Sequence, residues 1–109
     1  MALIKGTLDV LVLKTLSWGP MHGFEITSWL EQHSRRRLEF TDAALLQALH
    51  RLEERQLLTA DWGETANGRR ARYYKMTAAG RAHLRAESAA LMEQFNALAA
   101  VLAVTASGR

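Results

Sequence analysis

Apolar residues recur at helical spacing from Thr7 to Trp18, where Leu8, Leu11, Val12, Thr15 and Leu16 share one side of a helical wheel. Thr7 is the expected N-cap and Asp9 the acidic residue of the first turn. Gly19-Pro20 ends that helix, and Ile26, Trp29 and Leu30 form the stripe of a second amphipathic helix over Met21 to His33. The run Arg35-Arg36-Arg37 breaks the pattern and reads as a solvated basic loop, and Leu38-Glu39-Phe40 after it is short enough for a small strand or an extended link. Thr41 or Asp42 then caps a third helix reaching about Arg55. Its apolar face is Leu45, Ala48, Leu49 and Leu52; its opposite face is Ala43, Gln47, His50, Arg51 and Glu54.

At Leu57 the period changes from helical to two. Leu57 to Glu64 and Arg69 to Met76 predict paired strands, with Leu58, Ala60, Trp62, Tyr74 and Met76 as the inward set. Asn67-Gly68 between them predicts a two-residue type I′ turn. Thr77 caps a last helix continuing to about Val104, with Gly80 in its first turn marking a close approach by a neighbouring group. The fold class expected is mostly α with a small β-hairpin. In this order, three helices and a hairpin give a winged helix-turn-helix domain over residues 1–77, and residues 78–109 a long C-terminal dimerisation helix.

Leu84, Ser88, Leu91, Phe95, Leu98 and Leu102 follow one another at intervals of 4, 3, 4, 3 and 4, which is a heptad seam and predicts a homodimer. Leu84, Leu91, Phe95, Leu98 and Leu102 are the expected interface residues. A two-fold dimer matches a two-fold-related DNA site half-site for half-site.

With 109 residues the chain has room for one core. Fourteen basic against 11 acidic residues leave a net charge of only +3, so positive charge matters here as a local patch. The patch is the hairpin: Arg69, Arg70, Arg72 and Lys75 follow the turn, and no Asp or Glu occurs between Glu64 and Glu87. Such a tip suits a polyanion, and after three helices it suits double-stranded DNA. The candidate DNA-binding residues are Ala43, Ala44, Gln47 and Arg51 on the third helix and Asn67, Gly68, Arg69, Arg70, Arg72 and Tyr73 on the hairpin. Period-2 alternation puts Arg70 and Arg72 on one face and Arg69 on the other, with Tyr73 outward beside the Arg side chains and Tyr74 in the core. One Arg has a rival partner in Asp61 or Glu64 across the hairpin.

Other chemistries find little support. There is no Cys, and His22, His33, His50 and His83 include no pair four apart, so neither metal nor cofactor is expected. With no phosphate-cradling glycine loop and no nucleophile-elbow sequence, the chain reads as a non-enzyme. Lys5, Asp9 and Lys14 interrupt the apolar start, which argues against a signal peptide or membrane span and for a cytoplasmic protein.

Four segments resemble the PadR family of bacterial transcriptional regulators: KGTLDVLVLKTL, GPMHGFEI, LHRLEERQLL and NGRRARYYKMTAAG, which together cover most of residues 5–80. The length, with one helix after the hairpin, is similar to the short branch of that family. The resemblance implies a homodimeric repressor on a pseudo-palindromic operator, released in some members by a small hydrophobic effector held between the two last helices. Carried onto this chain, that pocket is lined by Leu91, Met92, Phe95 and Ala99, with Leu11 or Thr15. Multidrug-binding members place a Trp on the last helix, whereas Trp18, Trp29 and Trp62 lie elsewhere, which favours a plain hydrophobic interface. Family recognition helices begin with Gly, then Ser or Thr, with a Tyr two positions on; here the stretch is Ala43-Ala44-Leu45-Leu46-Gln47, and Leu46 stands for the Tyr. Leu46 then becomes a residue to meet a thymine methyl and Gln47 one to read an adenine edge, with more of the affinity resting on Arg69 and Arg70. The alternative reading is a winged-helix module for protein interaction or ligand sensing, with weakened DNA binding.

Overall fold

The computed structural model describes residues 6–105. Residues 1–5 and 106–109, the outer ends of the two segments expected from the sequence, lie outside them. The chain runs α1 (Thr7–Leu16), β1 (Met21–His22), α2 (Gly23–His33), α3 (Asp42–Glu54), β2 (Leu58–Glu64), β3 (Arg70–Met76) and α4 (Ala78–Leu102). Mostly helical with a small antiparallel sheet, this is the winged-helix order the spacing predicts. The helices come out close to their expected bounds, although α1 has Gly6 at its N-cap, φ 90°, in place of Thr7.

The core forms where the three short helices meet the base of the sheet. Val12, Leu13 and Leu16 from α1, Ile26 and Leu30 from α2, and Leu45, Leu49 and Leu52 from α3 are buried there. Leu58, Tyr74 and Met76 close it from the strands. These are the apolar stripes of each element turned inward, the arrangement that removes the most apolar surface from water.

The sheet has three strands, in the order β1-β3-β2. Met21 pairs with Tyr74 and His22 with Tyr73, so the segment expected to open the second helix instead adds a strand to the hairpin. A two-residue strand carries no alternation to betray it. His22 then caps α2: its Nδ1 accepts from the Glu25 N–H at 3.3 Å, and Glu25 Oε1 accepts from the His22 N–H at 3.1 Å.

The hairpin turn also differs from expectation. Gly68 N–H donates to the Thr65 carbonyl and Thr65 N–H to the Arg69 carbonyl, and of the central residues only Gly68 has positive φ, 79°. That is a three-residue loop, a type I turn closed by a left-handed glycine, rather than a type I′ turn over Asn67-Gly68. A type I′ turn needs positive φ at both central residues, and here the ladder closes at Thr65 and Arg69 around a single one.

Trp62 corrects the inward set. It shares a face with Ala60 and Tyr74, opposite Arg72 in the register, yet is 63% exposed because the strands outrun the core. Alternation fixes the side, not the depth.

One turn joins α3, the sheet and α4. Leu57 N–H donates to the Leu52 carbonyl and Gln56 N–H to the Glu53 carbonyl, with Gln56 left-handed at φ 60°. The Thr77 hydroxyl donates to the Gln56 carbonyl at 2.8 Å and accepts from the Gly80 N–H at 3.0 Å, so the end of α3 and the start of α4 are fastened together. Glycine is the residue that suits a left-handed helix end. Gln56→Gly is therefore expected to stabilise the protein by about 0.5–1 kcal/mol, seen as a higher urea midpoint at fixed protein concentration.

The first turns of α4 belong to the core, with Gly80 and Leu84 buried and Leu91 partly so. Beyond Leu91 every described residue of α4 is exposed, including Met92, Phe95, Leu98, Val101 and Leu102. The molecule is accordingly elongated, 61 × 28 × 21 Å. No helix among the described residues is long and apolar enough to cross a membrane.

Candidate nucleic-acid interface

The N-terminus of α2, one side of α3 and the wing formed by β2 and β3 enclose a groove of about 850 Å³. His22, Phe24 and Thr27 line it from the α2 side, Asp42, Leu45, Leu46 and Leu49 from α3, and Thr65, Asn67, Arg69, Arg70 and Arg72 from the wing. Its floor is apolar and its far wall cationic. On α3 a step of about 100° per residue puts Ala43, Gln47 and His50 on the outermost line, Leu46 toward the wing and Arg51 toward α1, and the burial of Leu45, Ala48, Leu49 and Leu52 fixes that orientation. Thr41 starts the helix, its hydroxyl accepting from the Ala44 N–H at 3.0 Å.

The residues selected from the sequence fall into three groups. Ala43 and Gln47 are exposed on α3, whereas Ala44 is half-buried against the core. Asn67, Gly68, Arg69 and Arg70 are exposed at the wing tip, where Arg69 and Arg70 take part in no ion pair among the described residues. The Arg70 guanidinium lies 4.8 Å over the Trp62 ring, a stacking that limits how it can point.

Arg51, Arg72 and Tyr73 have other engagements. Arg51 donates twice to Asp9, at 2.7 and 3.2 Å, which ties α3 to α1. The hydrogen bonding to Asp9 holds its pKa further above the ordinary value. Arg72 donates to Glu53 at 2.8 Å, so the rival carboxylate is on α3 and not across the hairpin at Asp61 or Glu64. Tyr73 does not stand beside Arg70 and Arg72. It is on the opposite face, its ring packed on Gly63 and edge-on to His22 at 5.4 Å, its hydroxyl donating to the Glu64 carbonyl at 3.3 Å. On the Arg face burial pushes the Tyr74 phenol up, partly offset by the Arg72 charge, and it stays neutral.

The ion pairs bridge 42 and 19 residues of sequence, so no local spacing announces them. Each spends an arginine on holding α3, one against α1 and one against the wing. Sequence reasoning passed over His22, Phe24 and Thr27 as parts of this site. The Glu three residues after His22 is the available signal, since it completes a capping pair. Phe24, 77% exposed, has none.

Among known proteins, residues 12–86 match the family described as transcriptional regulator PadR-like. The fold is shared with a PadR-like transcriptional regulator of Bacillus cereus, TM-score 0.79 and 19% identity, over 93% of this chain and 96% of that one. A PadR family transcriptional regulator of Eggerthella lenta gives TM-score 0.76 at 26% identity, over 93% and 86%. Bacillus subtilis PadR, whose crystal structure is a complex with operator DNA, gives TM-score 0.65 at 19% identity, over 72% of this chain and 45% of that one.

Proposed function

The chain belongs to the PadR-like family of transcriptional regulators, and from that premise we propose that it is a homodimeric repressor of a pseudo-palindromic DNA operator. The observation that carries this reading is the groove: exposed α3 residues and two arginines with no ion pair among the described residues converge on one side of the molecule. The face of α3 is of a size to enter a major groove, and Arg69 and Arg70 are suited to the flanking phosphates or minor groove. Asn67 and Gly68 bring the wing backbone close, and Gln47 has the donor and acceptor to read adenine. That Bacillus subtilis PadR is found in complex with operator DNA supports DNA as the partner here.

Residues 1–77 are then the DNA-binding part and residues 78–109 the dimerisation helix. The bare apolar length of α4 supports an interface of Leu91, Phe95, Leu98 and Leu102. Leu84, expected in that seam, is instead 9% exposed in the core of its own chain. Leu91, Met92, Phe95 and Ala99 would hold a small hydrophobic effector between two such helices. The protein so read is cytoplasmic, is not an enzyme and needs no cofactor. A module for protein interaction or ligand sensing, with weakened DNA binding, is the second reading, favoured by the exposure of Phe24 and Leu46 on the side meant for DNA.

Sedimentation tests the assembly. The purified chain is expected to be a dimer at micromolar concentration, and Phe95→Asp, at a position 54% exposed in the single chain, a folded monomer with operator affinity down about tenfold or more. A monomeric wild type would sink the dimer.

A further inference from the structure

Leu46 is 48% exposed on the wing side of the α3 face, and Phe24, from another helix, is exposed in the same groove. One exposed apolar side chain on a surface needs no explanation. Two large ones from different helices, in a groove walled by Arg69 and Arg70, form an apolar surface facing the place a polyanion would occupy. The first exposed turn of α3 adds only the Ala43 methyl beside them, and its polar groups are the Asp42 carboxylate and the Gln47 amide. In the major groove each base pair presents donors and acceptors, and the apolar feature on offer is the C5 methyl of thymine.

We propose that Leu46 is a specificity-determining residue of α3 that reads the C5 methyl of a thymine in each operator half-site. The inference rests on the DNA-binding reading above and adds to it a chemical preference. Gln47, about 100° further round the helix, is placed to take the adenine of a neighbouring pair, so the half-site contains a thymine with an A·T pair next to it. Phe24 closes the α2 side of the groove and keeps water from the methyl contact.

Uracil in place of thymine removes that methyl and leaves every hydrogen-bonding group unchanged, so the test is a double-mutant cycle between protein and DNA. Sequences bound by the wild type are first selected from a random duplex library. Each thymine of the half-site is then replaced by uracil, symmetrically in both halves. One position is expected to weaken wild-type binding about fourfold per half-site, about fifteenfold for the pair, while Leu46→Ala binds thymine and uracil operators equally. Leu46 is half-exposed, so the alanine variant keeps its core, and the uracil arm needs no variant at all. Wild-type indifference to uracil at every position would overturn the proposal, as would a Leu46→Ala protein that still discriminates. Failure of the wild type to enrich any DNA would overturn the reading underneath as well, and shows itself before any uracil is introduced.

Discussion

Arg69→Ala with Arg70→Ala is expected to weaken operator binding roughly a thousandfold near 0.15 M salt and to flatten its salt dependence by about 3.6 in log-log slope. Two arginines per chain give four phosphate contacts per dimer, each releasing about 0.9 of a counterion, and the affinity follows from that slope. Both side chains are exposed at the wing tip without an ion-pair partner among the described residues, so no carboxylate there competes with phosphate for them, and Arg70 has only its stacking on Trp62 to give up. Arg72→Ala separates charge from position. Its guanidinium is engaged by Glu53, so its loss is expected to reduce affinity by loosening the wing against α3 while leaving the slope close to wild type. Fluorescence anisotropy across a salt series measures both. A slope unchanged in the double variant would mean that the wing does not meet phosphate.

Gly80→Ala is expected to destabilise the fold by about 3 kcal/mol, lowering the melting temperature by roughly 15 °C at fixed protein concentration. A Cβ at this position would overlap the Leu57 carbonyl oxygen and stand 2.7 Å from Met76 Cγ. The oxygen belongs to the backbone of a turn that is itself held. Leu57 accepts from the Thr77 N–H, and the Thr77 hydroxyl bonds the neighbouring Gln56 carbonyl. The Met76 side chain can yield but the backbone carbonyl cannot, so α4 must tilt away and draw Leu84 out of the core. Gly23→Ala is the control: nothing lies within 4 Å of a Cβ there and its φ is not positive, so the added methyl is expected to be neutral or to stabilise α2 slightly. Equal losses from the two substitutions would show that the damage at Gly80 is not the approach of Leu57.

The apolar stripes of α1, α2 and α3 were legible in the sequence because each depends on residues close together in the chain, and so was the place of Gly80 in the first turn of α4, set by the Thr77 cap three residues before it, though not the Leu57 carbonyl it meets. Depth and distant partners were not. Trp62 has the alternation of a core residue, and only the length of the wing beyond the core makes it a surface platform for Arg70. Leu84 has the spacing of a seam residue, and only the docking of α4 on the core takes it away from a partner chain. The turn at Asn67-Gly68 was recognisable as a turn, yet its type depends on where the strand ladder closes, which is a property of both strands. Arg51 and Arg72 look from the sequence like two more cations for DNA. Asp9 and Glu53 make them struts on either side of α3, and neither carboxylate can be assigned before the fold brings it there.

This division of labour sharpens the candidate site. Four cations follow one another at the hairpin, but the geometry leaves Arg69 and Arg70 at the groove while Arg72 steadies the helix beside it. The exposed side of the helix so steadied carries Ala43, Leu46, Gln47 and His50, all neutral side chains when the imidazole is unprotonated, so most of the affinity is expected from the wing and the sequence preference from α3.

Selection of bound duplexes from a random library by the purified chain tests the central reading most directly, because it reports DNA binding, half-site spacing and symmetry together. The expected result is an enriched inverted repeat whose half-site centres lie about one helical turn, roughly 10 base pairs, or a multiple of it apart, bound by two chains. No enrichment over the starting library, or an unrepeated site bound by a single chain, would contradict it.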